Sequence, residues 1–213
     1  MRAYRVRHVM ETIITAVLFI FQHIPAALPF LGPMIAPLGF YIFFLLFGGY
    51  GISGAAFLEI ELNILLFKKE LMFGRVVAVA GFIVILIAIV QFLRVHGALI
   101  TTGLYSVVRH PQYLGIIVMT LGLSMMSLQH VSLRTEVLYV WLVEVLGYIL
   151  LARFEERYLV RDYEKAFRQY RQRVPFIFPI PCPARIPETV FSMMLALSIL
   201  FLCLIPIGLV RFG

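Results

Sequence analysis

The sequence predicts an all-α fold, a polytopic helical membrane protein with about six transmembrane helices. The first observation is composition, because 62% of the 213 residues are hydrophobic and 14% are charged. A soluble domain has about 45–50% apolar and about 25% charged residues. The second is that the apolar residues form runs close to the roughly 20 residues that cross a bilayer as a helix. We therefore expect an integral, multi-pass membrane protein whose polar residues lie between the spans.

Six apolar runs are candidate spans, in chain order 10–31, 36–58, 73–93, 112–129, 134–152 and 188–210. The first follows Arg2, Arg5 and Arg7 as a signal sequence would. It is long and has no small-residue cleavage site, so a retained helix is expected. The spans divide the chain into N-terminal transmembrane helices (1–71), a core (72–185) and a C-terminal transmembrane helix (186–213).

The fourth and fifth runs predict a helical hairpin, because Gln129, His130 and Ser132 mark a turn between them. A hairpin places residues 94–110 and 153–175 on the same membrane face. Eight of the 18 basic residues lie between Arg153 and Arg185. Such a concentration is typical of the cytoplasmic face and its anionic headgroups. We interpret the net charge of +7 in this way rather than as a nucleic-acid surface.

Residues 153–173 predict a helix that lies at the membrane interface and does not cross the bilayer. Basic residues recur every four positions on one face, at Arg153, Arg157, Arg161 and Lys165. Aromatic residues follow helical spacing on another face, at Tyr163, Phe167 and Tyr170. Headgroup anchoring alone explains the basic stripe, so the stripe does not by itself indicate a site.

Three polar motifs follow one another beside the apolar runs, where polar side chains are costly and usually functional. They are Gly103-Leu-Tyr-Ser-Val-Val-Arg-His-Pro-Gln-Tyr-Leu-Gly115, Phe154-Glu-Glu-Arg-Tyr-Leu159 and Tyr170-x-x-x-Val174-Pro175. Together they resemble the isoprenylcysteine carboxyl methyltransferase family of membrane enzymes, which includes phospholipid N-methyltransferase and thiol S-methyltransferase relatives. The resemblance covers about residues 90–180 and identifies the 72–185 core as a methyltransferase core.

The resemblance implies S-adenosylmethionine as methyl donor, bound at the cytoplasmic surface between the motifs. The cofactor-binding residues it implies are Gly97, Ala98, Leu99, Ile100, Tyr105, His110, Pro111, Gln112, Tyr113, Glu155 and Tyr170. The chain departs from the family where Gly97 replaces a frequent His, Glu164 a frequent Gly and Phe167 a frequent Tyr. The candidate catalytic residues are Arg109, Glu144 and Glu156.

The charges of S-adenosylmethionine match these residue types. Glu155 or Glu156 can pair with its ammonium, while Arg109 or a backbone N–H at a helix start can meet its carboxylate. Tyrosine rings can face the cationic sulfonium. Methyl transfer is an in-line displacement, so the main task is to align the acceptor, methyl group and sulfur in a dry site.

Two residues bear on the methyl acceptor. Leu151 stands where prenylcysteine enzymes have an Arg for the substrate carboxylate, so a lipid amine or a small thiol is favoured over a prenylcysteine carboxylate. Glu144 lies 11 residues before Glu155, close to three helical turns, so both carboxylates share a face. It is a candidate for the acceptor path; a hydrogen bond to a Tyr or Gln of another span is the structural alternative.

Other function classes fit less well. A transporter should show paired discontinuous helices in repeated halves, and the sequence has no internal repeat. A non-catalytic scaffold, or a nicotinamide-dependent reductase on a related fold, also remains open. No metal is expected, because His96 and His110 lack ligand spacing. The acceptor and the oligomeric state stay undetermined at this stage.

Overall fold

The computed structural model describes residues 32–45, 69–95, 98–130 and 136–212. Within these ranges the chain is helical and has no β-strand. The α-helices are α1 (Gly32–Leu45), α2 (Met72–Arg94), α3 (Pro111–His130), α4 (Glu136–Arg173) and α5 (Glu188–Phe212). Short 3-10 turns occupy Lys69–Leu71 and Gly103–Ser106. The predicted span 10–31 lies outside the described residues, and the span 36–58 is described only in part.

Two of these helices, α2 with 23 residues and α4 with 38, are long and apolar enough to cross a membrane. Shorter apolar helical stretches are Gly32–Leu45, Pro111–Ser127 and Glu188–Cys203. The all-helical prediction is confirmed for the residues that the structure describes, and the membrane character rests on the two long helices. The number of six spans remains a prediction.

Helices α2 and α3 pack closely because both present glycines seven residues apart. These are Gly74 and Gly81 on α2 and Gly115 and Gly122 on α3. A Cβ added at Gly81 would lie 2.6 Å from the carbonyl oxygen of Gly115, and one at Gly115 would lie 2.9 Å from that of Gly81. Small residues allow helix backbones to approach in this way in a lipid environment.

Buried hydrogen bonds connect α1, α3 and α4. The hydroxyl of Tyr41 on α1 lies 3.0 Å from the carbonyl oxygen of Thr120, to which it donates, and 2.8 Å from the Ser124 hydroxyl. Trp141 on α4 donates its indole N–H to the carbonyl of Ile117 at 3.0 Å. Because buried polar groups need partners, these contacts fix how the helices sit against each other.

Helix α4 includes both the predicted fifth span and the predicted interfacial helix. At about 1.5 Å per residue it is about 57 Å long, well beyond the roughly 30 Å hydrocarbon core. Its backbone breaks at Tyr163, where φ is −126° and ψ is 21°. Beyond the break, the hydroxyl of Tyr170 donates to the carbonyl of Tyr105 at 2.6 Å. The break therefore lets the last part of α4 pack against the 103–106 turn.

Candidate active site

The turn from Gly103 to His110 is held against α2 and against the segment that follows α4. Gly103 has a φ of +64°, a left-handed conformation that disfavours side chains. The Leu104 N–H donates to Oε1 of Gln91 at 3.0 Å, and the Arg109 N–H donates to the carbonyl of Pro175 at 2.9 Å. Pro111 then begins α3, where its missing N–H is not needed.

An ion network joins this turn to α4 and α5. The Arg109 guanidinium pairs with Glu156 and Glu188, and Arg109 and Glu156 are each 3% exposed. Arg153 lies 3.0 Å from Glu156 and 3.3 Å from Glu188, and Arg171 lies 3.0 Å from Glu188. The motifs around residues 109 and 156 therefore meet, as the predicted hairpin requires.

His110 lies between two carboxylates. Its Nδ1 is 3.4 Å from Glu155 Oε2, and its Nε2 is 3.6 Å from Glu156 Oε1. Burial lowers the pKa of His110, but the two carboxylates outweigh burial and raise the net pKa above its usual value. The ring also stacks on Tyr113, whose hydroxyl donates to Glu155. Glu155 is therefore oriented by both His110 and Tyr113.

A cavity of about 230 Å³ opens beside this turn. Its lining is mostly apolar and aromatic, with a few convergent polar groups, as is usual for small-molecule sites. The predicted cofactor-binding residues that line it are Ala98, Leu99, Ile100, Tyr105, His110, Gln112, Glu155 and Tyr170, together with the candidate catalytic residue Arg109. Pro111 and Tyr113 do not line it, and Gly97 lies outside the described residues.

Three polar atoms of residues that line this cavity are buried and have no hydrogen-bond partner in the described part of the chain. They are Arg109 Nε, His110 Nε2 and Gln112 Oε1. A buried polar atom without a partner costs about 1–3 kcal/mol, and most such atoms in folded proteins are satisfied. His110 Nε2 nevertheless faces the Glu156 carboxylate at 3.6 Å, so Arg109 Nε and Gln112 Oε1 remain as the buried atoms of this wall that a bound polar group could satisfy.

Other residues of the cavity were not among the predicted site residues. They are Phe92, Val95, Leu159, Tyr163 and Phe167. Tyr163 and Phe167 belong to the aromatic stripe of the 153–173 helix, together with the predicted site residue Tyr170, so the stripe could have identified both as cavity residues. Glu188, which pairs with Arg109, was also missed. An acidic residue in the first turn of a helix is ordinary, so its sequence position did not distinguish it.

Glu144 and Glu156 do not line the cavity. Glu156 pairs with Arg109, which lines the cavity, whereas Glu144 lies inside the helix bundle. Glu144 is 1% exposed, and neither carboxylate oxygen has a hydrogen-bond partner within the described residues. At 1.5 Å per residue it lies about 16 Å from Glu155 along α4. The structural alternative, a hydrogen bond to a Tyr or Gln of another span, is therefore not seen in this part of the chain.

In the described ranges no group of three or more His, Cys, Asp or Glu side chains is placed to hold a metal ion. His96, one of the two histidines considered for such a site, lies outside those ranges.

Residues 85–166 match the phospholipid methyltransferase family. Over 82 residues the chain is 34% identical to protein-S-isoprenylcysteine O-methyltransferase from Schizosaccharomyces pombe and 32% identical to protein-S-isoprenylcysteine O-methyltransferase B from Arabidopsis thaliana. Each match covers 38% of this chain, and they span 33% of the S. pombe protein and 39% of the A. thaliana protein. No solved structure matches the chain.

These matches confirm the predicted family resemblance. The family match includes the first two motifs, whereas Tyr170 and Val174-Pro175 lie beyond its end at residue 166. The matched segment contains most of the cavity wall and both carboxylates of the Glu155-Glu156 pair. The family and the two relatives in these comparisons are named as methyltransferases, and the matches span little more than a third of the relatives' length.

Proposed function

We propose that the protein is an S-adenosylmethionine-dependent methyltransferase that transfers a methyl group to a lipophilic or small membrane-permeant acceptor. The observation that carries this proposal is the mostly aromatic cavity at residues 109–112, where Glu155 offers a carboxylate and Arg109 Nε and Gln112 Oε1 are buried without a hydrogen-bond partner among the described residues. The family match adds the reaction class.

The residues of the cavity fit the chemistry of this cofactor. Glu155 offers a carboxylate for the cofactor's ammonium, and charged hydrogen bonds are the strong ones. Gln112 Oε1 can accept a hydrogen bond from an amino group, and Arg109 Nε can donate to a carboxylate. Tyr105 and Tyr170 bring aromatic rings to the same cavity, and such rings attract a cation. When bound, S-adenosylmethionine supplies an activated methyl group on a sulfonium.

The chain's own residues then have three tasks. His110 and Tyr113 hold Glu155 in place, and Glu156 and Glu188 hold Arg109 in place. The aromatic and aliphatic lining excludes water from the cavity, which favours alignment of the reacting groups. Arg109 and Glu156 act as positioning residues, since their ion pair fixes the wall that carries His110 and Gln112.

We propose a lipid amine or a thiol as acceptor, in preference to a prenylcysteine carboxylate. Leu151 packs against the hydrophobic core and offers no charge for a carboxylate. Arg153 is already paired with Glu156 and Glu188 and lies over the Phe176 ring, 5.1 Å from its centroid. We also propose that the cavity faces the cytoplasm, which is supported by the basic residues between Arg153 and Arg185.

The test is calorimetry on the purified full chain with S-adenosylhomocysteine and, separately, NADPH. We expect binding of the first ligand only. Glu155→Gln should weaken this binding by about 1–3 kcal/mol, the loss of a charged hydrogen bond. Glu164→Gln is the matched control, because Glu164 is an exposed carboxylate on the same helix. Binding of NADPH alone would favour the reductase class and refute the proposal.

A second measurement addresses the acceptor. Purified protein is incubated with labelled methyl donor and with lipid extracts, small thiols or a farnesylcysteine analogue. We expect label in a lipid amine or a thiol. Efficient carboxyl methylation of the farnesylcysteine analogue would overturn the acceptor class and leave the cofactor assignment intact.

A further inference from the structure

A second recess lies on the other side of the Arg109–Glu156 pair. It has a volume of about 430 Å³ and is lined by Arg153, Glu156, Arg157, Val160 and Arg171. Neither Arg157 nor Arg171 lines the cofactor cavity, and Arg109 belongs to that cavity alone. The two recesses are therefore separate, with the ion pair as part of the wall between them.

The charge of this recess is positive. Three arginines, Arg109, Arg153 and Arg171, share two carboxylates, Glu156 and Glu188. With Arg157, which lines the recess beside them, these groups carry two positive charges in excess. Arg157 is exposed at the recess and has no ion pair with another described residue. An anion with several acceptor oxygens would match this arrangement, because arginine donates in a planar fork that suits phosphate.

The break at Tyr163 contributes to the recess. Arg171 follows the break, whereas Arg153 and Arg157 precede it. The contact of Arg171 with Glu188 and the contact of Arg153 with the same carboxylate bring the two parts of α4 together. A straight α4 would place Arg171 about 27 Å from Arg153 along the helix, too far for both to contact Glu188.

An apolar stripe leads along α4 to the recess. Large exposed apolar and aromatic side chains recur with helical spacing at Tyr139, Val143, Leu146, Leu150, Phe154 and Tyr158. Leu150 is 61% exposed and Phe154 is 52% exposed. Arg157 follows Phe154 by three residues, so it lies on nearly the same face. A molecule with an anionic group and a hydrocarbon chain would complement both features, because its anion could bind the arginines of the recess and its chain could cover the apolar stripe.

From the charge and the stripe we propose that the recess binds the phosphate of an anionic membrane phospholipid, at a site distinct from the cofactor cavity. The lipid's phosphate is bound by Arg157, the recess arginine with no ion pair in the described residues, at the opening that it forms with Arg153 and Arg171, and one acyl chain runs along Leu150 and Phe154. Anionic headgroups attract basic residues near the membrane surface, and the recess gives this attraction a defined position.

The experiment uses detergent-purified full chain without methyl donor. The unfolding temperature is measured against rising dihexanoyl phosphatidylglycerol, dihexanoyl phosphatidylcholine or inorganic phosphate, because a ligand that binds the folded state raises it with concentration. We expect phosphatidylglycerol to bind at least about 10-fold more tightly than the other two. Arg157→Gln should weaken that binding about 10-fold, the effect of losing one charged hydrogen bond.

Arg161→Gln is the matched control, since Arg161 is an exposed arginine one turn further on α4 that does not line the recess. Its affinity should stay within about twofold of the parent. Equal loss in both variants would reveal attraction to general surface charge and overturn the site. If inorganic phosphate bound as tightly as phosphatidylglycerol, the ligand would not be a lipid. If phosphatidylcholine bound as tightly, the site would have no preference for an anionic headgroup. Because no methyl donor is present, these results are independent of the proposed reaction.

Discussion

Helix α4 buries two carboxylates, and its two regions treat them differently. Near the middle, Glu144 is 1% exposed and neither oxygen has a hydrogen-bond partner among the described residues. Three turns later, Glu156 is 3% exposed and contacts Arg109 and Arg153. The same helix therefore holds Glu144 among hydroxyls and apolar side chains and Glu156 among cations.

The difference between the surroundings of Glu144 and Glu156 shows which region of α4 is built around charged side chains. A buried ion needs a partner, because its desolvation costs several kcal/mol. At Glu156 the partners come from three separate segments, namely the 103–110 turn, α4 and, through Glu188, the start of α5. That region is built around charges and adjoins the cavity. The region of Glu144 contains the hydroxyls of Tyr41 and Thr120, which bond to backbone carbonyls.

The largest expected effect is the loss of Glu156. Glu156→Gln removes a carboxylate from a buried pair and leaves the buried Arg109 with Glu188 as its remaining acidic partner. Breaking a buried pair in this way costs about 3–5 kcal/mol of unfolding free energy. Denaturant unfolding of the purified protein measures it.

The control for this variant is Glu164→Gln, because Glu164 pairs with Arg168 in solvent at 3.4 Å. An exposed pair contributes about 0–1 kcal/mol. If the two variants lost the same small amount, the ion network would contribute no special stability, and the contrast between the two regions of α4 would be lost.

The next largest effect is a pH dependence of folding stability that arises from His110. Glu155 and Glu156 raise its folded pKa above the unfolded value of about 6.5. Stability from His110 is fully present below that unfolded value and is lost as pH rises through the folded pKa. The unfolding temperature of the parent should therefore fall over this interval more than that of His110→Gln. Identical pH profiles would mean that His110 stays neutral between the two carboxylates.

The sequence indicated where the candidate site lies more clearly than how the helices pack. Polar motifs beside apolar runs are conspicuous, and the family resemblance of those motifs implied His110 and Glu155 as cofactor-binding residues. The glycine packing of α2 against α3 was not predicted, because glycines within an apolar run carry no signal of which helix they face. The break at Tyr163 was also missed, because no proline or glycine marks it in the sequence, and the contacts of Tyr170 and Arg171 that accompany it are tertiary.

A smaller effect is expected for Gln112, where ligand binding and stability should change in opposite directions. Gln112→Leu removes a buried acceptor that has no partner among the described residues. The ligand-free protein should be unchanged or up to about 1 kcal/mol more stable, because no satisfied bond is lost. Affinity for S-adenosylhomocysteine should fall by about 1 kcal/mol. Unfolding and calorimetry on one preparation test both, and unchanged affinity would separate Gln112 from the cofactor.

The smallest effect is expected at Glu144, although a buried polar residue in a membrane-spanning helix is a functional candidate. Glu144→Gln keeps the shape of the side chain and a side-chain oxygen that can accept a hydrogen bond from the neighbouring Thr120 hydroxyl. We therefore expect a stability change below about 1 kcal/mol and unchanged cofactor affinity. The separation of about 16 Å from Glu155 is too long for direct proton transfer at the cofactor cavity.

The methyl-transfer rate then distinguishes the remaining roles of Glu144. If this carboxyl only orients the acceptor along its path, the rate of Glu144→Gln should fall by less than about 10-fold. A fall of about 100-fold or more is the scale of a lost general base, and it would require the acceptor's reacting group to approach Glu144. That result would contradict the distance argument and would move the site of transfer toward the centre of α4. A normal rate would remove Glu144 from the acceptor path and leave the chemistry with the paired region around Glu155.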